Sequence, residues 1–404
     1  MAASASAARI ELEAAASREY RGMKLPARLL ASIALVLLAS SGLEAELLKS
    51  KLGFYVEMPA GFGLVQGDGA TRFAFSDPNG VMEFDLFAYE EGRFDGIDAL
   101  SAESLRNLRS GGACARFAYQ QRDAAMATLE FKLGEAAMLG FAVFIEGNGK
   151  EPDYALLAYA PSEMFDGYAD FIISCLDSFS IDAEALRAPG PMSQYTLAWP
   201  PSRAEERKIA LPGGGTASLP WSAAEAKQES DTCLREYKVL TAYADEEKLW
   251  PEAWARFYRM AYRESAARLD RLALEATRFM PFDDPTEQAR RVLAWVQGWS
   301  YERDRDGTDF IPPLSAVFEG RGDCDSRAVA AAILLERLGI DAILMVSKEY
   351  SHAMLGVDVP GGGQRFSFAG REYLVGETTA DVGLGMIARD QSDFSKWMGI
   401  QLGR

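Results

Sequence analysis

The chain has 404 residues, 49% of them hydrophobic and 25% charged, with a formal net charge of −17 at pH 7, four cysteines and one histidine. That is the composition of folded globular protein rather than disorder, at a length that suggests two domains or three. So acidic a surface repels phosphate backbones and anionic lipid, which excludes nucleic acid as a partner. A single histidine excludes HExxH metalloenzymes and leaves zinc without a usual ligand set, so no metal or organic cofactor is expected.

The stretch "MKLPARLLASIALVLLASSGLEA" from Met23 reads as a secretory signal, and Met23 is a candidate true start. Lys24 and Arg28 supply the basic flank, and the apolar run after them is too short to span a bilayer comfortably. Small residues at Ser41, Gly42 and Ala45 offer cleavage sites, and no cysteine there could carry a lipid anchor. Residues 1–45 are therefore expected to be an extension plus signal peptide, leaving a periplasmic or extracellular protein with no stable membrane span. Export permits disulfides. Cys114, Cys175, Cys233 and Cys324 show no close-spaced pair; Cys114 and Cys175 share one candidate domain, although Cys175 also fits as a buried thiol.

The first folded block is placed at residues 46–187. In "TRFAFSDPNGVMEFDLFAYEE", Phe73 and Phe75 alternate with other residues, "DPNG" turns the chain, and Phe84, Leu86 and Ala88 resume the period of two. A helix is expected near Ile97–Leu108, and further strands at Ala125–Phe131, Phe141–Glu146 and Tyr154–Ala160. "PSEMFDGYADFIISCLDSF" follows as an amphipathic helix with Phe165, Tyr168, Ile172, Cys175 and Phe179 on one face. Antiparallel strands with a few helices make an α+β domain. From "MPAGF" to "LLAYAPSEMFDGYADFIISCLDSFS" the block resembles PsbP/DcrB-like domains. No catalytic group stands out in it, so a binding or scaffold role is expected.

Proline and polar residues in "LRAPGPMSQYTLAWPPSRAEER" mark a linker, placed at residues 188–215. The second domain is placed at 216–404. "TCLREYKVLTAY" reads as a strand, and "WPEAWARFYRMAYRESAARLDRLALEA" as one long helix with Pro251 in its first turn. Trp254, Phe257, Ala261 and Leu272 lie near one stripe of that helix, a pattern more often core than ligand groove. "DDPTEQARRVLAWVQGW" opens a helix with Asp284 as N-cap and Glu287 completing a capping box. The glycine turns at "PGGGT" and "PGGGQ" read as hairpin tips.

In "RGDCDSRAVAAAILLERLGIDAILMV", Cys324 stands where a loop enters a helix that is apolar on every side. A helix N-terminus presents unpaired N–H groups and positive potential, both favouring thiolate, while the flanking aspartates oppose it in part. Gly322 would leave room for a substrate backbone. A cysteine at a helix start is often mere filler, and the other side chains decide the matter. His352, the single histidine, opens the strand "HAMLGVDV", and Glu377 lies near the end of the strand "EYLVGETT". Thiol, imidazole and carboxylate thus come in order on helix, strand and strand, the arrangement of a nucleophile, its base and an orienting acid.

These segments, with "GRGDCDSRAVAAAILLERLGIDA", "SHAMLGVDV" and "YLVGETTADVGLG" inside a core at residues 281–387, resemble the transglutaminase-like superfamily of papain-type thiol enzymes. The resemblance implies an α+β core with the nucleophile at a helix N-terminus packed on an antiparallel sheet. It also implies Cys324 as nucleophile, His352 as general base and Glu377 as orienting acid. Glu377 stands where relatives have aspartate, with Thr379 in the matching threonine place, and Met354 stands where many carry tryptophan, which suggests a different wall to the site. The activity implied is hydrolysis or acyl transfer at an amide bond of a peptide or protein, such as a cell-envelope component. The alternative is an inactive peptide- or glycan-binding envelope protein that keeps the fold.

Overall fold

The structure, a computed structural model, describes residues 47–200, 204–281, 283–303 and 308–403. The targeting segment expected at the N-terminus lies outside the described residues. Among the described residues no helix is long and apolar enough to cross a membrane. The chain divides into two units at Ile181/Asp182.

In the first unit a short hairpin of β1 (Leu47–Lys49) and β2 (Tyr55–Glu57) precedes a seven-stranded antiparallel sheet. Its strands are β3 (Gly63–Gly67), β4 (Arg72–Ser76), β5 (Glu83–Tyr89), β6 (Cys114–Tyr119), β7 (Arg122–Leu133), β8 (Ala136–Ile145) and β9 (Asp153–Pro161). They lie side by side as β3-β4-β5-β9-β8-β7-β6. Helices α1 (Gly96–Leu108) and α2 (Phe165–Asp177) pack against the sheet.

Local chemistry accounts for these elements. Phe73 stands opposite Leu86 and Phe75 opposite Phe84, so the period of two becomes cross-strand apolar pairs. The Asp77 carboxylate tightens the turn between them by accepting the N–H groups of Asn79, Val81 and Met82 at 3.0, 2.6 and 2.7 Å. Strand β9 reads apolar almost throughout because both of its faces are covered. Ile97 and Leu100 of α1 pack with Ala155, Leu157 and Tyr159, while the ring of Tyr154 meets Phe54 and Phe179. Cys114 is exposed on edge strand β6 and Cys175 is buried in α2, and both are free thiols, so no disulfide joins them.

The second unit begins at Asp182, ahead of the stretch read as a linker, and takes that stretch in. A 3₁₀ turn at Ala185–Arg187 and the short helix α3 (Pro191–Thr196) fold there, with Met192, Ser193 and Gln194 buried. Pro191 starts a helix at a position that needs no N–H, so the proline-rich composition marks a helix start rather than a free connector. Strands β10 (Glu205–Ala210) and β11 (Thr216–Trp221) form a hairpin around Gly213, Gly214 and Gly215, all at positive φ.

"TCLREYKVLTAY" is not a strand; it lies in and just beyond α4 (Ala223–Thr241). Its buried residues, Cys233, Glu236, Val239 and Leu240, recur at helical spacing, which outweighs the β-branched and aromatic content. The long helix breaks at a 3₁₀ turn into α5 (Trp250–Ala266) and α6 (Asp270–Ala276), so Leu272 leaves the stripe of Phe257 and Ala261. Helix α7 (Pro285–Gln297) is capped by Asp284, which accepts the N–H of Glu287 at 2.9 Å. The Glu287 carboxylate turns to Arg291 at 2.9 Å instead of closing the box.

The remaining elements are β12 (Ser300–Tyr301), α8 (Pro313–Glu319), β13 (Arg321–Gly322) and α9 (Cys324–Arg337), then β14 (Ala342–Ser347), β15 (His352–Val357), β16 (Arg365–Phe368), β17 (Arg371–Gly376) and β18 (Met398–Gln401). The last five form an antiparallel sheet ordered β16-β17-β15-β14-β18, while β12 and β13 pair in parallel. Every residue of α9 from Ser326 to Leu335 is buried. Alanines at 328, 330, 331 and 332 let neighbours approach closely, with β14 and β15 packed on it as well as α5, α6, α7 and α8. A helix held on all sides fixes whatever stands at its N-terminus.

One buried cluster in the first unit has a pH consequence. The hydroxyl of Tyr159 lies 2.9 Å from both Glu83 Oε2 and Asp85 Oδ2. One hydroxyl proton serves one carboxylate, so the other carboxyl must bring its own. Burial first, and the charge of Glu83 second, push Asp85 up to about 7. A folded-state value above the unfolded one stabilises at low pH, and that stabilisation is lost as pH rises from about 4 to about 7. Asp85→Asn should remove this slope, so its melting temperature relative to the parent should climb between about pH 4.5 and 7.5. Thermal melts across that range check it, and a pH-independent difference would contradict it.

Candidate active site

Cys324 is the first residue of α9, and Asp323 is its N-cap. Asp323 Oδ1 accepts the N–H of Ser326 at 3.1 Å and the Ser326 hydroxyl at 2.6 Å. The sequence assigned Gly322 to substrate access, but it is buried, and a Cβ there would come 2.9 Å from Cβ of Ser326. Glycine lets the loop close on the first helical turn. The Cys324 sulfur accepts hydrogen bonds from the N–H groups of Ala353 and Asp325. The ladder between β15 and β17 ends at Leu355 opposite Gly376, so it does not extend to Ala353. Helix position and these N–H groups favour thiolate, but the surroundings win. Burial, then the charges of Asp325 and Asp323, push the thiol up to about 12.

His352 opens β15, and Glu377 follows directly after β17. Nε2 of His352 lies 2.8 Å from Glu377 Oε2. An ionised carboxylate only accepts, so Nε2 carries the hydrogen and Nδ1 keeps the lone pair of the neutral ring. The other oxygen, Oε1, accepts the N–H of Thr379 at 2.7 Å and its hydroxyl at 2.6 Å. Burial alone would raise the Glu377 carboxyl, but the hydrogen bonds from His352 and Thr379 outweigh it and hold it below the usual range. The ring of Trp397 stands edge-on to the imidazole at 6.2 Å. Met354, expected to form a wall of the site, is instead fully buried in the core with Ile343, Met345 and Val375.

Several residues that matter here were not picked out from the sequence. The buried guanidinium of Arg327 donates to three carbonyls: Gly322 O at 3.0 Å, Thr378 O at 3.0 Å and Trp299 O at 2.7 Å. It thus ties the loop before Cys324 to the segment after Glu377 and to the end of α7. Thr378 donates its hydroxyl to Cys324 O at 3.3 Å, and Gln297 donates to Glu377 O at 2.8 Å and Val382 O at 3.0 Å. Gln297 also lines a pocket of about 340 Å³ together with Arg290, Leu293, Asp381 and Leu384. An arginine three residues into a helix otherwise buried in apolar contacts was the available signal, because such a charge needs an internal partner. Arg327→Lys keeps the charge but cannot reach three carbonyls from one ammonium. It should destabilise the protein by about 2–4 kcal/mol in denaturant unfolding, and a change under about 0.5 kcal/mol would contradict this role.

With this geometry in place, known proteins can be compared. Residues 276–363 match the sequence model of the Transglutaminase-like superfamily. Glu377 lies beyond the matched stretch. No curated protein matches the chain. Among solved structures, cyanobacterial PsbP (CyanoP) from Synechocystis sp. PCC 6803 is 13% identical, with 37% of this chain and 98% of that one covered and a TM-score of 0.29. A protein from Bacteroides thetaiotaomicron is 10% identical over 79% of this chain and 84% of its own, with a TM-score of 0.24. Red sea bream transglutaminase is 12% identical over 76% of this chain and 47% of its own, with a TM-score of 0.16. Likeness at this level carries no chemistry from one protein to another. The segment that bears Cys324 and His352, residues 276–363, is a transglutaminase-like domain.

Proposed function

We propose that this protein is an exported thiol enzyme that hydrolyses, or transfers the acyl group of, an amide bond in a peptide or protein. Cys324 is its nucleophile, His352 its general base and Glu377 its orienting acid, on a papain-like core. The observation that carries this reading is the 2.8 Å bond between His352 Nε2 and Glu377, which leaves Nδ1 free to take a proton one residue from the N–H that meets the Cys324 sulfur.

The sulfur loses its proton to Nδ1 and attacks the amide carbon, giving a tetrahedral oxyanion. The N–H of Cys324, at the first helical position with no intrahelical acceptor, is the natural donor to that oxygen. Collapse expels the amine, which takes its proton from His352 and leaves a thioester. Water, deprotonated by His352, then releases the acid; a second amine in its place completes transfer. Hydrolysis is favoured because water is always present and exclusion requires a closed site.

A second reading, a peptide- or glycan-binding module without turnover, is favoured by one observation. The same burial and paired acids that push the thiol up to about 12 work against thiolate formation. Substitution separates the two. Cys324→Ala should abolish amide turnover, and His352→Ala should be nearly as severe because no other imidazole exists in the chain. Glu377→Gln keeps an acceptor and should lower the rate ~10- to 1000-fold. The double change at Cys324 and His352 should be little worse than either alone. A folded Cys324→Ala protein with full biological activity would establish the binding module instead.

Export is motivated by the basic and apolar regions after Met23. The N-terminus of protein recovered from the native envelope fraction should fall near Leu43 to Leu47, and intact Met1 in the cytoplasm would overturn the assignment.

A further inference from the structure

Two carboxyls flank the thiol. Asp325 Oδ1 and Asp323 Oδ1 each accept the N–H of Ser326 at 3.1 Å, so two carboxylate oxygens meet at one donor. Two ionised carboxylates that share one donor repel, and a proton on either relieves the pair. Among the described residues neither carboxyl has an ion-pair partner. The nearest guanidinium, Arg327, is turned to the three carbonyls named above.

Each acid meets two donors. Asp323 takes both the N–H and the hydroxyl of Ser326. Asp325 takes the same N–H on Oδ1 and the Tyr258 hydroxyl on Oδ2 at 2.7 Å. Burial, then the charge of Asp323, raises Asp325 well above the usual carboxylate range, with Tyr258 opposing. The titratable groups around this pair include Tyr258 from α5, Tyr301 from β12, Arg303 just after it, and Cys324 and Arg327 on α9 itself. Beyond the sulfur stand His352 on β15 and Glu377 after β17.

We propose that Asp323 and Asp325 share one proton near neutral pH, with Asp325 its holder, and that they act as a single negative charge controlling ionisation of the Cys324 thiol. This rests on the reading of Cys324 as nucleophile. Both acids are positioning residues, since they act through the sulfur and touch no substrate. Loss of the shared proton as pH rises would place a second negative charge beside the sulfur. The pair therefore restrains the thiolate most on the alkaline side, where an isolated thiol would gain reactivity fastest.

The test is the rate of iodoacetamide alkylation at Cys324, read by mass spectrometry on the full chain from about pH 6 to 10. Asparagine keeps the shape and caps a helix as well as aspartate. Asp325→Asn should follow the parent within about twofold at pH 7 and outrun it several-fold by about pH 9.5. The double Asp323→Asn, Asp325→Asn variant should react about tenfold faster than the parent already at pH 7. If Asp325→Asn alone gives the full gain at pH 7, Asp325 was ionised and the shared proton is refuted. A double variant no faster than the parent refutes control of the thiol by the pair. Should the double variant unfold, infrared difference spectra at pH 7 decide: a protonated-carboxyl band in the parent must vanish in Asp325→Asn, and no such band overturns the proposal. The nucleophile reading fails separately, if alkylation of the parent is indifferent to His352→Ala while the asparagine series behaves as stated.

Discussion

One buried guanidinium organises the end of the second unit that carries Cys324. Arg327 lies inside a helix closed off on all sides, and its donors fan out to the carbonyls of Gly322, Thr378 and Trp299. Those carbonyls belong to the loop that delivers Cys324, the segment that follows Glu377, and the end of the helix that contributes Gln297. A planar fork of donors is the side chain suited to hold three such points at fixed angles. Burial lowers the Arg327 guanidinium, while its three hydrogen bonds, the charges of Asp323 and Glu377 and the ring of Tyr301 at 5.6 Å oppose that cost. The positions of thiol and carboxylate relative to one another depend on that arrangement.

The electrostatics around Cys324 run against its position. The helix N-terminus and two N–H groups favour a negative sulfur, yet burial and two acids prevail. On the other side, Glu377 stays ionised despite burial because His352 and Thr379 saturate both of its oxygens. The site therefore holds a firm imidazole–carboxylate pair and a reluctant thiol. A substrate that displaces water and brings its own carbonyl toward the free N–H of Cys324 would alter that balance, and a site whose nucleophile ionises only with substrate present is protected from idle alkylation and oxidation.

Much of this was legible in the sequence. In the first unit the alternation of Phe73, Phe75, Phe84 and Leu86 placed β4 and β5, and the run Ile97–Leu108 placed α1, because period and burial agree there. The reading failed where local composition and tertiary context disagree. Tyr237, Val239 and Tyr243 suggested a strand, but the buried positions of α4 recur every three or four residues. Prolines at 189 and 191 suggested a tether, but Pro191 begins a buried helix. Near the site, Cys324, His352 and Glu377 could be chosen because each residue type is chemically distinctive. Gln297, Tyr258 and Thr378 could not, since their importance comes from partners far away in sequence, and nothing in their own neighbourhoods marks them. Gly322 was noticed for the wrong reason: its missing Cβ makes room for Ser326.

The chain's single histidine gives the account a direct test, because a protein labelled with nitrogen-15 in histidine reports on His352 alone. The account predicts a hydrogen on Nε2, held by Glu377, and an Nδ1 resonance that moves when Cys324→Ala removes the sulfur. A ring protonated at Nδ1, or an Nδ1 resonance unchanged by loss of the thiol, would show that imidazole and sulfur do not act together and would contradict the account.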